Sequence, residues 1–65
     1  MTPEQLRARI FESLDNSKEN GYSPEECSAE YLAADMASYD SDLEDVDVKE
    51  MLPHINEWLA KHPKN

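Results

Sequence analysis

Three times along this chain the residues spell out the start of a helix, and the spacing leaves room for little else. Thr2-Pro3-Glu4-Gln5 offers a capping hydroxyl, a proline at the first helical position and a glutamine at the third. Ser23-Pro24-Glu25-Glu26 repeats the pattern, with Tyr22 and Cys27 placed to staple across the cap. Asp47-Val48-Lys49-Glu50 is a third capping box, with Val46 and Met51 as its staple. Carboxylates in these first turns also meet the positive ends of the helix dipoles. There is no strand-like alternation, no internal repeat and no low-complexity run.

The three starts predict three helices. The first is expected from Pro3 to about Lys18, with Leu6, Ile10, Phe11 and Leu14 on one face and Asn20-Gly21 as its stop. The second is expected from Pro24 to about Tyr39 and has two apolar sides. Ala29, Leu32, Ala33, Met36 and Tyr39 form one; Cys27, Tyr31 and Ala34 form the other. A helix apolar on two sides is expected at the centre of a bundle. The third is expected from Val48 to about His62, on a stripe of Val48, Met51, Leu52, Ile55, Trp58, Leu59 and His62, with a kink near Pro53 on the opposite face. Glu57 and Lys61 make a favourable pair four residues apart. Ser41-Asp42-Leu43-Glu44-Asp45 is out of phase with that stripe and reads as a separate helical turn, and Pro63-Lys64-Asn65 should fray. The fold expected is all-α: one domain over residues 1–65, a small three-helix bundle with an acidic turn in its second connection.

At 65 residues the chain buries only a modest core, with ~60% of the unfolded surface removed from water. Its single cysteine, Cys27, excludes an internal disulfide and suits a reducing compartment. One Cys and two His build no usual zinc set. The first residues lack the basic and apolar regions of a signal peptide, and no apolar run approaches a membrane span. A soluble, cytoplasmic protein is expected. Disorder is the competing reading of so charged a chain, and the regular helix punctuation argues against it.

The net charge of −9 is concentrated in the middle. Residues 21–50 hold ten carboxylates against one base, Lys49. Such a field repels phosphate and anionic lipid, so direct binding to nucleic acid or membrane is not expected. The second helix carries only acids, the wrong sign for a DNA-reading helix.

Few residues suggest chemistry. Set as a calcium loop starting at Asp40, the segment puts Asp42 and Glu44 on ligand positions, but Asp45 stands where glycine is needed and Met51 where a bidentate glutamate is needed. Asp40-Ser41-Asp42-Leu43 shares three residue types with the Asp-Ser-Leu attachment site of acyl carrier proteins. Asp42 interrupts that site and the flanking pattern does not follow, so no carrier role is read from it. Glu50 and His54 stand four apart, and the simpler account is an exposed helical pair. His62 is placed to cap carbonyls at a helix end, and Cys27 reads as a small core residue among carboxylates. Trp58 reads as core before binding hot spot. With one glycine there is no phosphate loop, and no nucleophile–base set can be assembled. The chain is expected not to be an enzyme and to need no metal or cofactor.

What remains is charge. Glu25, Glu26, Asp47 and Glu50 have local work at helix starts. The expected partner-binding residues are Glu26, Glu30, Asp35, Asp40, Asp42, Glu44 and Asp45. Carboxylates four apart on a helix lie ~6 Å apart along its axis, near the scale of phosphate spacing. In size, charge and helicity the chain resembles the acidic helical inhibitors of phages and mobile elements and the immunity proteins of nuclease toxins. That resemblance is one of class and rests on no motif. It implies a binding or regulatory protein that engages a basic protein surface, with nucleic-acid mimicry as the sharper form. The alternative is a structural protein that assembles through an apolar helix face, as a homodimer or complex subunit, with the acids only solubilising it.

Overall fold

The computed structural model describes residues 1–63, so the fraying expected at Lys64 and Asn65 lies outside the described residues. Helix α1 spans Pro3–Glu19, α2 Ala29–Tyr39 and α3 Val48–Lys61, and a 3₁₀ turn covers Pro24–Glu26. No strand occurs among the described residues. The chain is an all-α bundle of three helices.

Helix α1 starts and stops by local chemistry. Thr2 Oγ1 accepts from the Gln5 amide at 3.1 Å, and Gln5 Oε1 accepts from the Thr2 amide at 2.9 Å, closing the capping box. At the other end Gly21 takes φ 93°. The Tyr22 amide donates to the Ser17 carbonyl at 3.0 Å and the Gly21 amide to the Lys18 carbonyl at 3.1 Å. This paired closure needs a left-handed residue, and glycine adopts that conformation without a Cβ clash.

The second helix begins later than its first cap predicts. Ser23 makes no side-chain capping bond, Pro24–Glu26 forms only a 3₁₀ turn, and Cys27 is extended at φ −102°, ψ 157°. Ser28 is the cap that works: its side chain accepts from the Tyr31 amide at 3.1 Å. Two caps stand five residues apart, and the later one wins because the earlier turn is pinned elsewhere. Pro24 is buried and Glu25 is tied to Lys18 of α1.

Helix α3 starts at Asp47, whose Oδ1 accepts from the Lys49 amide at 2.9 Å. The third box is therefore one-sided, since Glu50 contributes only its amide, to the Asp47 carbonyl. The helix continues through Pro53, which is exposed. Pro53 leaves the Lys49 carbonyl without its usual donor, a cost that solvent lowers on the outer face.

The central element is α3, not α2. Both α1 and α2 pack along α3 and scarcely touch each other. Leu6, Ile10 and Leu14 face Met51, Ile55 and Trp58 across one seam, and Ala29, Leu32, Ala33 and Met36 complete the core from α2. Of the second apolar side expected of α2, Tyr31 is 60% exposed and Ala34 is also exposed, and only Cys27, ahead of the helix, packs against the core. Tyr39, expected on the core side, is 56% exposed. A tyrosine tolerates this because its hydroxyl keeps water while its ring presents apolar area. In the second connection Leu43 is fully buried, held by consecutive turns from the Leu43 amide to the Asp40 carbonyl and from the Val46 amide to the Leu43 carbonyl. These turns stand where a helical turn was expected.

Trp58 belongs to the core, with no exposed surface. Its indole N–H donates to Asp15 Oδ1 at 2.8 Å, which satisfies the one polar atom a buried tryptophan carries. His62 stacks on the same ring, centroids 3.8 Å apart and planes 14° from parallel. Its Nδ1 lies 2.9 Å from the Trp58 carbonyl. A carbonyl only accepts, so Nδ1 carries the proton, and His62 closes the helix end as a C-terminal cap.

Candidate functional site

The bases of the described chain lie on α1 and α3, and most are spent on internal partners. Arg7 grips Glu57 with two parallel bonds of 2.9 and 2.6 Å, while its guanidinium lies 4.2 Å from the Phe11 ring centroid. Lys61 adds a weaker contact to Glu57 at 3.6 Å. Hydrogen bonding to Arg7 holds the Glu57 carboxyl at about 2, against the opposing effect of partial burial. Lys18 bonds both oxygens of Glu25 at 2.9 and 3.1 Å and holds that carboxyl below its ordinary value.

Arg9 is the pivot of the acidic connection. Its Nε and terminal nitrogen both reach Asp40 Oδ2 at 2.9 Å. The other Asp40 oxygen accepts from the Asp42 amide at 3.0 Å, which fixes the turn. The Asp40 carboxyl is held below its ordinary value, first by the Arg9 hydrogen bond and then by the Asp42 amide. Only 8% of Asp40 is exposed, so it turns inward and neutralises Arg9. The other six expected partner-binding residues, Glu26, Glu30, Asp35, Asp42, Glu44 and Asp45, are all exposed.

These six do not form one helical row. Glu26 lies on the 3₁₀ turn and Glu30 on α2, with extended Cys27 between them. The four-residue ladder expected from Glu26 to Glu30 is therefore broken, because Cys27 is extended and the helix begins only after the Ser28 cap. Asp42 lies 3.8 Å from Arg9, a contact weaker than that of Asp40. Glu44 and Asp45 extend the acidic surface along the turns before α3.

Because α1 and α2 both pack on α3 and scarcely touch each other, a groove of ≈ 450 Å³ lies between them. All three tyrosines of the chain line it: Tyr22 from the loop, and Tyr31 and Tyr39 from α2. Leu32, Pro24 and Cys27 form apolar parts of its wall, and Ser13, Asn16 and Ser17 supply polar groups from α1. Asp35 is the charged residue in the lining. The Tyr39 and Ser13 hydroxyls meet at 2.6 Å and bridge the two walls. Beyond that bridge lies a second hollow, lined by Arg9, Glu12, Asp40 and Asp42, which shares Ser13, Asn16 and Tyr39 with the groove.

The tyrosines were missed as site residues, and their signal was the spacing Tyr31, Asp35, Tyr39, four residues apart each time. That spacing sets two rings and a carboxylate on one helix face. Among the described residues no group of three metal-ligating side chains converges, and no helix is long and apolar enough to cross a membrane. Compared with family models, curated proteins and solved structures, the chain matches none.

Proposed function

We propose that this chain is a small, non-enzymatic binding protein that engages a basic surface on a partner protein. The observation that carries this reading is the uneven pairing of charge. Arg7, Arg9, Lys18 and Lys61 are bound to internal carboxylates, while Glu26, Glu30, Asp35, Glu44 and Asp45 make no ion pair among the described residues. A surface of one sign attracts a partner of the other, speeds encounter and makes binding sensitive to salt. Mimicry of a nucleic-acid strand is the sharper form, and it now rests on fewer residues, because Asp40 is internal and the Glu26–Glu30 ladder is broken.

The test is capture of partners from the native host at low and high salt, with wild type beside a variant carrying Asp42→Lys, Glu44→Lys and Asp45→Lys. Basic proteins should be captured at low salt, released at high salt and lost with the triple reversal. Capture that ignores both salt and the reversals overturns the proposal.

A second reading is favoured by one observation. The exposed side of α2, with Tyr31 and Ala34, is an apolar area that a copy of the chain or another subunit could cover. On that reading sedimentation shows mass rising with concentration, and Tyr31→Ser abolishes the rise. A monomer at millimolar concentration removes the homodimer form of this alternative.

A further inference from the structure

We infer that the groove between α1 and α2 is an arginine-reading cleft, which holds an extended, arginine-bearing segment of a basic partner. This rests on the proposed function and names how part of that binding is done. The central observation is the stripe Tyr31-Asp35-Tyr39 on α2. Two exposed rings flank one carboxylate, and that carboxylate has no partner among the described residues. A guanidinium is planar and forked: its edge meets a carboxylate with two bonds, while its faces stack on aromatic rings. An ammonium does the first poorly and the second less well, so arginine is preferred over lysine.

The surroundings fit the same occupant. From Tyr31 to Tyr39 the stripe runs ~12 Å along α2, enough for three or four residues of extended chain. Ser13, Asn16 and Ser17 on the facing wall offer hydroxyl and amide groups to a peptide backbone. Tyr39 is already held by Ser13 at 2.6 Å, so its ring loses little freedom on binding. The adjoining hollow shows the chemistry within the molecule, where Arg9 lies among Asp40, Asp42 and Glu12. Charge also chooses between occupants. A second copy would bring another net charge of −9 to an acid-edged groove, whereas an arginine segment neutralises Asp35.

The experiment is an amide NMR titration of the full chain with the blocked peptide Ser-Arg-Ser-Arg-Ser, beside its lysine counterpart. The arginine peptide should shift the amides of Tyr31, Asp35 and Tyr39 and bind more tightly than the lysine peptide. Asp35→Asn should weaken binding about tenfold and Tyr31→Ser about threefold. Tyr31→Phe, which keeps the ring, should recover the binding lost in Tyr31→Ser, and Glu4→Gln at the far end of α1 should bind as wild type. These positions are exposed, and an unchanged thermal midpoint for each variant confirms that the fold is intact. Three results overturn the cleft: no shifts in the groove, equal response to both peptides with indifference to Tyr31→Ser, or concentration-dependent groove shifts without peptide, which would mean a second copy. The broader reading fails separately. If host capture stays salt-sensitive and still needs Asp42, Glu44 and Asp45 while the peptide ignores the groove, only the cleft is lost.

Discussion

The two sides of α1 meet neighbours of opposite character. Toward α3 it is sealed: Trp58 is buried on Asp15, Arg7 is locked to Glu57, and Leu6, Ile10 and Leu14 close the seam. Toward α2 it is open, joined chiefly by the Ser13–Tyr39 bond and the Arg9–Asp40 pair, with exposed tyrosines and unpaired carboxylates beyond. The sealed side spends its polar groups on one another, and the open side keeps them for solvent or a partner. A small domain needs one strong seam to fold, and function can then use the weak one.

That division is broken most directly at Trp58. Trp58→Ala should cost about 3–5 kcal/mol, comparable with the whole stability of a domain this size, on the order of 3–10 kcal/mol. Far-UV circular dichroism should show a largely unfolded chain at 37 °C; a cooperative wild-type-like transition would mean the seam is not where stability resides. Leu43→Ala comes next, at about 2–4 kcal/mol, measured by urea denaturation. Its effect would show that the acidic connection has an apolar anchor of its own.

Gly21→Ala should cost about 1 kcal/mol, because the added Cβ meets open space and only the left-handed backbone resists it. Smaller still is the pH-dependent share of the Arg7–Glu57 pair, which solvent screens. Its folded pKa is depressed, so its contribution is complete above about 4.5 and fades as pH falls toward about 2. The Tm gap between wild type and Glu57→Gln should close across that window; a constant gap would show that the pair is not the cause. At the bottom of the scale, Glu44→Gln and Asp45→Asn should change stability by less than about 0.5 kcal/mol. A large loss there would place these residues on the structural side of the comparison.

How legible each feature was in the sequence follows from how local it is. The Thr2–Gln5 box, the Gly21 stop and the start at Asp47 depend on residues within a few positions, and they appear where the pattern puts them. The start of α2 was misplaced because Ser23 and Ser28 are both competent caps, and burial of Pro24 decides between them. The central helix was misassigned for a related reason. Periodicity shows which faces are apolar, but not which face tertiary packing leaves in water, and Tyr31 and Tyr39 stay out. Arg9 and Asp40 are 31 residues apart, and no local rule pairs them. That single pairing removed one expected binding residue. The spacing of Tyr31, Asp35 and Tyr39 was readable, but the groove they line exists only once α1 and α2 both pack on α3.

The placement of the aromatic rings also makes the molecule its own optical instrument. One tryptophan lies in the core under a stacked histidine, and all three tyrosines line the groove. Emission excited selectively in the indole therefore reports whether the seam is intact. Phenol emission would respond to an occupant of the proposed cleft. Loss of fold and occupation of the proposed cleft would thus be followed through different fluorophores of the unlabelled chain.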